Sequence, residues 1–163
     1  MRLLLVIRKE KRLTKIGEWR SGKRMPRNAF PLSRSHSYVL GSSFDWCVCE
    51  ASCDRHDYRI LIAFDAEKAQ YRAWLGLVCG HDQALLGRVE FHPSHHGWHS
   101  HVKLGPVDNV VRGVVRESNE HEKCRVCPVD HSFSVTQLDA RGIAFRAFNI
   151  VGSPEMGEGE LFQ

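Results

Sequence analysis

Residues 87–104 read GRVEFHPSHHGWHSHVKL, and this stretch decides the fold that we predict. Val89 and Phe91 alternate with polar residues before a break at residues 93–97, and Val102 continues the alternation after it. Side chains of a strand point to opposite faces with a period of two, whereas Pro and Gly favour turns. The pattern therefore predicts a β-hairpin with one apolar and one polar face.

The register of this hairpin follows from the residues that share a face. In an antiparallel pair, residues directly opposite each other share a face, and their residue numbers have a constant sum. The apolar residues have odd numbers on the first strand and even numbers on the second, so this sum must be odd. In one such register His92 lies across from His99. Cross-strand neighbours have Cβ atoms about 4.5–5.5 Å apart, which is within reach of one ion. An odd sum gathers four side chains on the polar face: Glu90, His92, His99 and His101.

Three imidazoles and one carboxylate form a ligand set that suits Zn, Mn, Fe or Ni. The hairpin therefore predicts a site for one divalent transition metal, Zn or Mn. A metal held there would support a hydrolase or nuclease, with Glu90 as ligand or general base. The alternative is a solvated or ligand-facing polar surface, because His is an acceptable residue on a half-exposed sheet.

A second group of metal-ligating residues is the Cys-x-x-Cys pair Cys124 and Cys127. Such a pair is half of a zinc site or a redox pair. It predicts a zinc-stabilised or redox interaction domain, and the alternative is a set of unliganded thiols. Possible further ligands are His121 and His131 in the same segment, or Cys49 and Cys53 upstream.

Helix and strand patterns flank the hairpin. Residues 58–64 alternate like a strand, whereas residues 66–77 fit both helical spacing and strand alternation, and we predict a helix there. Thr136 and Asp139 fit a capping box at the start of a helix that Gly152 ends. The apolar stripe of this helix consists of Ala140, Ile143, Ala144, Ala147 and Phe148.

The first 34 residues carry eleven Lys or Arg and two acids, although the net charge of the whole chain is only +4. A basic arm on a mildly acidic body is typical of binding to nucleic acid or to a membrane surface. Nucleic-acid binding would proceed through phosphates without sequence preference, and the alternative is a solubilising tail. Because apolar periodicity is weak after Ile7, we expect this arm to be disordered. The candidate nucleic-acid contacts are Arg8, Lys9, Lys11, Arg12, Lys15, Arg20, Lys23, Arg24 and Arg27.

Together these patterns predict an α+β fold. A small antiparallel sheet of three or more strands packs against the C-terminal amphipathic helix, and a disordered basic arm precedes it. We expect the arm at residues 1–43, a Cys-containing connector at 44–57, one core domain at 58–152 and a flexible tail at 153–163.

Membrane and export signals are missing from the sequence. The longest N-terminal apolar run, Leu3–Ile7, has five residues, whereas a membrane span needs about 18 and a signal peptide about 7–15. We therefore expect a soluble cytoplasmic protein. The hypothesis that needs the fewest coincidences is a small binding or regulatory module that contacts nucleic acid through its arm. The sequence leaves open whether the protein is an enzyme.

Overall fold

A computed structural model of the chain describes residues 2–22, 40–80, 82–94, 97–102, 105–106, 121–123 and 133–152. Strands dominate these residues and join into one nine-stranded sheet. The strands are β1 (Lys11–Lys15), β2 (Arg20–Ser21), β3 (Asp45–Cys53), β4 (His56–Asp65), β5 (Gln70–Cys79), β6 (Asp82–Phe91), β7 (His99–Val102), β8 (His121–Lys123) and β9 (Ile150–Val151). The helices are α1 (Leu3–Arg8) and α2 (Gln137–Phe148).

The sheet is built around a meander of consecutive strands. The strand order is β8-β7-β6-β5-β4-β3-β1-β9, and β2 also pairs with β3. The described pairs are antiparallel except for β1 and β9, which run parallel. Asp54 has a φ of 54° in the short turn between β3 and β4, a left-handed conformation that Asp tolerates better than most residues. Local turns of this kind place β3 to β7 side by side.

Both faces of the sheet are buried in its centre. The first face packs against α1 and α2, and the hydroxyl of Tyr71 on β5 donates a hydrogen bond of 2.8 Å to the carbonyl of Ala140 on α2. The second face carries a separate apolar cluster, which consists of Leu40, Phe44, Trp46, Leu61, Ala63, Trp74 and Leu85. The strand register shows that, on β5, β6 and β7, the same second face also carries a row of polar residues.

The expected fold, a small antiparallel sheet packed against a C-terminal amphipathic helix, is wrong. The structure is a curled, mixed sheet of nine strands, and the helix at Gln137–Phe148 is short beside it. Residues 70–79 form β5 instead of the expected helix. Because the central strands are buried on both faces, their apolar residues run almost continuously and fit either spacing. The capping box of Thr136 and Asp139 is confirmed.

The expected disorder of the N-terminal arm is wrong for residues 2–22. This segment forms α1, β1 and β2, and β1 lies between β3 and β9 in the sheet. Pairing with distant strands orders β1, and such pairing leaves no periodicity in the local sequence. The expected connector at residues 44–57 contains β3 and the start of β4. The expected tail at 153–163 lies outside the described residues.

Lys11 connects the ends of both helices. Its side chain is fully buried, and Nζ donates hydrogen bonds to the carbonyls of Ile7 (2.7 Å), Lys9 (2.8 Å) and Phe148 (3.0 Å). The ammonium also lies 5.3 Å from the centre of the Tyr58 ring. Burial lowers the pKa of Lys11 to about 8. The amine therefore holds β1 against the C-terminal ends of α1 and α2.

Neither helix has the dimensions of a membrane span. Across the part of the chain that the structure describes, no helix is both long and apolar enough to cross a bilayer.

Candidate metal centre

The hairpin predicted at residues 87–104 corresponds to strands β6 and β7. The observed register pairs Glu90 with His99 and Arg88 with His101, so the prediction of an odd sum of residue numbers is confirmed. The register that would place His92 across from His99 is not the one observed. Val89 and Val102 lie on the first face of the sheet, and the polar residues of the hairpin lie on the second.

Three side chains of this second face meet at one point. Oε1 of Glu90 lies 2.9 Å from Nε2 of His99 and 2.9 Å from Nε2 of His101. The three atoms that could bind a metal all lie within 4.8 Å of one another. The strand pleat explains the convergence, because His99 and His101 are two residues apart on β7 and Glu90 lies on the adjacent strand. These residues could hold one metal ion.

The cluster is more buried than the half-exposed face that the sequence suggested. Glu90 is 5% exposed and His101 is 9% exposed. Polar groups in such positions need hydrogen-bond partners or ions, because their water shell has been removed. The cluster is therefore buried within the sheet, and its polar atoms contact one another instead of water.

Arg88 is a further member of the site. Its Nη2 donates a hydrogen bond of 3.0 Å to the same Oε1 of Glu90. Burial acts to raise the pKa of Glu90, but the positive charge of Arg88 and the neighbouring histidines His101 and His99 outweigh burial, so the pKa lies below its ordinary value. The carboxylate is thus ionised at neutral pH, as metal binding requires.

The orientation of His99 is set from its other ring nitrogen. Nδ1 lies 3.2 Å from the carbonyl oxygen of Gly97. The Gly97 carbonyl oxygen and the Glu90 carboxylate oxygen only accept hydrogen bonds, so a neutral His99 ring, which has one N–H, can donate to only one of them. Metal-ligating histidines are typically oriented through a backbone carbonyl in this way.

His92 lies beside the cluster and outside the group of converging atoms. Its Nε2 is 3.8 Å from Oε1 of Glu90, and its Nδ1 is 2.7 Å from the hydroxyl of Ser94. The His92 and His99 rings are 5.0 Å apart at their centres. Of the four predicted ligands, the structure therefore brings Glu90, His99 and His101 together and leaves His92 at the margin.

The cysteine hypothesis is not tested by the structure. Cys124 and Cys127 lie outside the described residues, so a zinc or redox site there stays a prediction. Cys49 and Cys53 lie on β3, where Cys49 is buried and Cys53 half-buried. His121 lies on β8 as the register partner of His101.

The candidate nucleic-acid contacts have different surroundings. Lys11 is buried and bound to three carbonyls, so it is not available to a phosphate. Lys9 forms an ion pair with Asp54, and the guanidinium of Arg20 lies 5.8 Å from the Trp46 ring centre. Arg8, Arg12 and Lys15 are exposed, and Lys23, Arg24 and Arg27 lie outside the described residues. Nucleic-acid binding stays a prediction.

Sequence reasoning missed Arg88 as a site residue. The signal was present, because Arg88 precedes Glu90 by two positions on a strand and so shares its face. A guanidinium has no lone pair for a metal, so a pattern of metal ligands does not include Arg88.

Comparisons with known proteins identify no relative. No family model matches the chain, and neither a curated protein nor a solved structure matches it. Function must therefore be inferred from the geometry of the site itself.

Proposed function

We propose that the protein binds one divalent transition metal, Zn or Mn, through Glu90, His99 and His101, and that it is a metal-dependent hydrolase. The observation that carries this proposal is the position of His99 between two hydrogen-bond acceptors. Its Nδ1 faces the Gly97 carbonyl at 3.2 Å, and its Nε2 faces the Glu90 carboxylate at 2.9 Å.

A neutral histidine cannot satisfy both of these contacts. The ring has one N–H, so one of its two nitrogens presents a lone pair to an oxygen that can only accept. The repulsion is removed by a positive charge between the two atoms, either a proton or a metal ion. Nε2 of His101 points at the same oxygen from 2.9 Å. Three potential ligands around one point favour the metal.

The ligand set indicates the kind of site. Two histidine nitrogens and one carboxylate oxygen are typical of catalytic zinc and non-haem iron centres, which keep at least one coordination position open. With metal–ligand bonds of about 2.0–2.2 Å, tetrahedral ligand atoms lie roughly 3.3 Å apart. The two distances of 2.9 Å in the structure would each need to open by a few tenths of an ångström.

Three ligands among the described residues favour hydrolysis over a purely structural role. Structural zinc sites have four protein ligands, and the part of the chain that the structure describes supplies three. A metal bound in such a site supplies a Lewis acid and a bound water of lowered pKa. The chain itself contributes an ionised Glu90, which Arg88 stabilises, and two imidazoles whose Nε2 atoms face its carboxylate.

The test is a metal titration of chelator-treated protein. We expect one equivalent of Zn²⁺ by calorimetry and one equivalent of Co²⁺ by visible absorption. His101→Ala should weaken binding by more than about 100-fold, because it removes a ligand and not merely a supporting contact. The matched control is His56→Ala, a histidine that opens β4 opposite Cys53 and away from the cluster. Its affinity should equal that of wild type.

Two results would overturn the proposal. Wild-type protein that binds neither ion would show that the His99–Glu90 contact is an imidazolium–carboxylate ion pair. Equal losses in His101→Ala and His56→Ala would show that the ion binds elsewhere. The same titration with Mn²⁺ distinguishes the two metals. After dialysis, the protein should retain more of the metal that it binds more tightly.

A further inference from the structure

Arg88 is placed to contact a ligand of the proposed metal as well as Glu90. It lies on β6 opposite His101, and its side chain is 21% exposed, whereas that of Glu90 is 7% exposed. Its guanidinium is a planar fork of N–H donors, and Nη2 donates to Oε1 of Glu90. The group is therefore anchored at the cluster and still partly accessible.

The distance from Arg88 to a bound metal can be bounded. Nη2 lies 3.0 Å from Oε1 of Glu90, and a metal on that oxygen would lie about 2.1 Å from it, so Nη2 would be at most about 5 Å from the metal. An oxygen bound to the metal at about 2.1 Å can accept a charge-assisted hydrogen bond of about 2.8 Å. One oxyanion can thus contact both groups.

The local charge indicates which oxyanion fits. A divalent metal with Glu90 and two neutral histidines leaves one positive charge, and Arg88 adds a second. Positive groups that are fixed in place favour an anion with two charges over a neutral or singly charged group.

We infer that Arg88 binds a phosphoryl group beside the metal, so that the substrate class is phosphate esters. This inference rests on the proposed function and names the substrate of the same site. Arg88 binds and orients the phosphoryl oxygens, as arginine forks do at phosphate sites generally, and its hydrogen bond to Glu90 holds it in place.

The test measures inorganic phosphate binding to the Zn²⁺-loaded protein by calorimetry. Arg88→Met should weaken phosphate binding by at least about tenfold, the loss of one charge-assisted hydrogen bond or more. Arg88→Lys should remain weaker than wild type, because an ammonium lacks the planar fork. The control is Arg59→Met, which removes an arginine that pairs with Glu50 on β3 and β4, two strands away from β6. It should bind phosphate as wild type does.

Two further binding measurements use acetate in place of phosphate, and protein without metal. Wild type should bind acetate more weakly than phosphate, and metal-free protein should bind neither. Equal phosphate affinity in wild type and Arg88→Met, preference for acetate, or phosphate binding without metal would each overturn the inference and leave the metal site standing. Failure of wild type to bind Zn²⁺ would instead overturn the proposed function. Zn²⁺ titration of each variant and its thermal midpoint show that it is folded and loaded.

Discussion

Replacing Lys11 by Met tests whether an ammonium group is truly buried where β1 meets both helices. Methionine has nearly the same length and apolar volume but carries no charge and no donor. In the native protein three carbonyls surround the amine, and burial lowers its pKa from 10.5 to about 8. A shift of about 2.5 pKa units corresponds to roughly 3.4 kcal/mol of differential stability.

The sign follows from proton binding. Between pH 8 and pH 10.5 the unfolded chain keeps a proton on Lys11 that the native protein has released, so the free energy of unfolding rises with pH in this range. From pH 7 to pH 10 the expected gain is about 2.5 kcal/mol. Lys11→Met lacks this contribution. Tyr58, whose pKa is raised to about 12, contributes only above the ordinary tyrosine range near pH 10.

The assay is urea unfolding of both proteins from pH 7 to pH 10 under reducing conditions. The quantity to plot is the wild-type free energy of unfolding minus that of Lys11→Met, because cysteine and tyrosine contributions common to both proteins cancel. This difference should rise by about 2.5 kcal/mol across the range. A constant offset from the loss of three hydrogen bonds does not affect the slope.

The control is Lys9→Met, because Lys9 is exposed and its hydrogen bond to Asp54 raises its pKa. The corresponding difference for Lys9→Met should not rise between pH 8 and pH 10. A flat or falling difference for Lys11→Met would refute the reasoning, since it would mean that the Lys11 ammonium is hydrated in the native protein.

Three further outcomes follow from the packing and the site. Phe148→Ala should lower the free energy of unfolding by about 3–5 kcal/mol in urea, because the ring is 1% exposed; a loss under about 1 kcal/mol would contradict its place in the core. Thr136→Ala should cost about 1 kcal/mol by removing the capping box of α2, and Thr136→Ser should restore most of it; equal stability of both variants would refute the cap. Excess Zn²⁺ should raise the thermal midpoint of wild type but not of His99→Ala, since a ligand of the native state alone stabilises it; equal shifts would place the ion elsewhere.

Local patterns predicted the parts of the structure in which one face is apolar and the other polar. Val89 and Glu90 occupy opposite faces of β6 as their alternation indicated, and the parity argument gave the correct pairing sum. The capping box at Thr136 was equally readable, because its two hydrogen bonds connect residues only three positions apart. Both signals depend on near neighbours in the chain.

Other elements depend on distant partners and could not be found in this way. Ala73 and Trp74 on β5 are both buried, on opposite faces, so their sequence shows no polar side and resembles a buried helix. β1 is ordered by pairing with β3 and β9, and its basic residues gave no sign of this. The exact register of β7 against β6 was also open, because an odd sum is shared by several registers that differ by two residues.

The parallel pairing of β1 with β9 has a consequence for how the chain is made. Lys11 and its acceptor Phe148 are 137 residues apart. β1 therefore leaves the ribosome long before β9, its second neighbour in the sheet, has been synthesised. Until then one edge of β1 is unpaired and the Lys11 ammonium remains in water. Closing so long a loop is slow, and an open edge invites pairing with other chains. We therefore expect the last step of folding to follow synthesis of residue 151, and the unfinished edge to be the part of the nascent chain that most needs protection by chaperones.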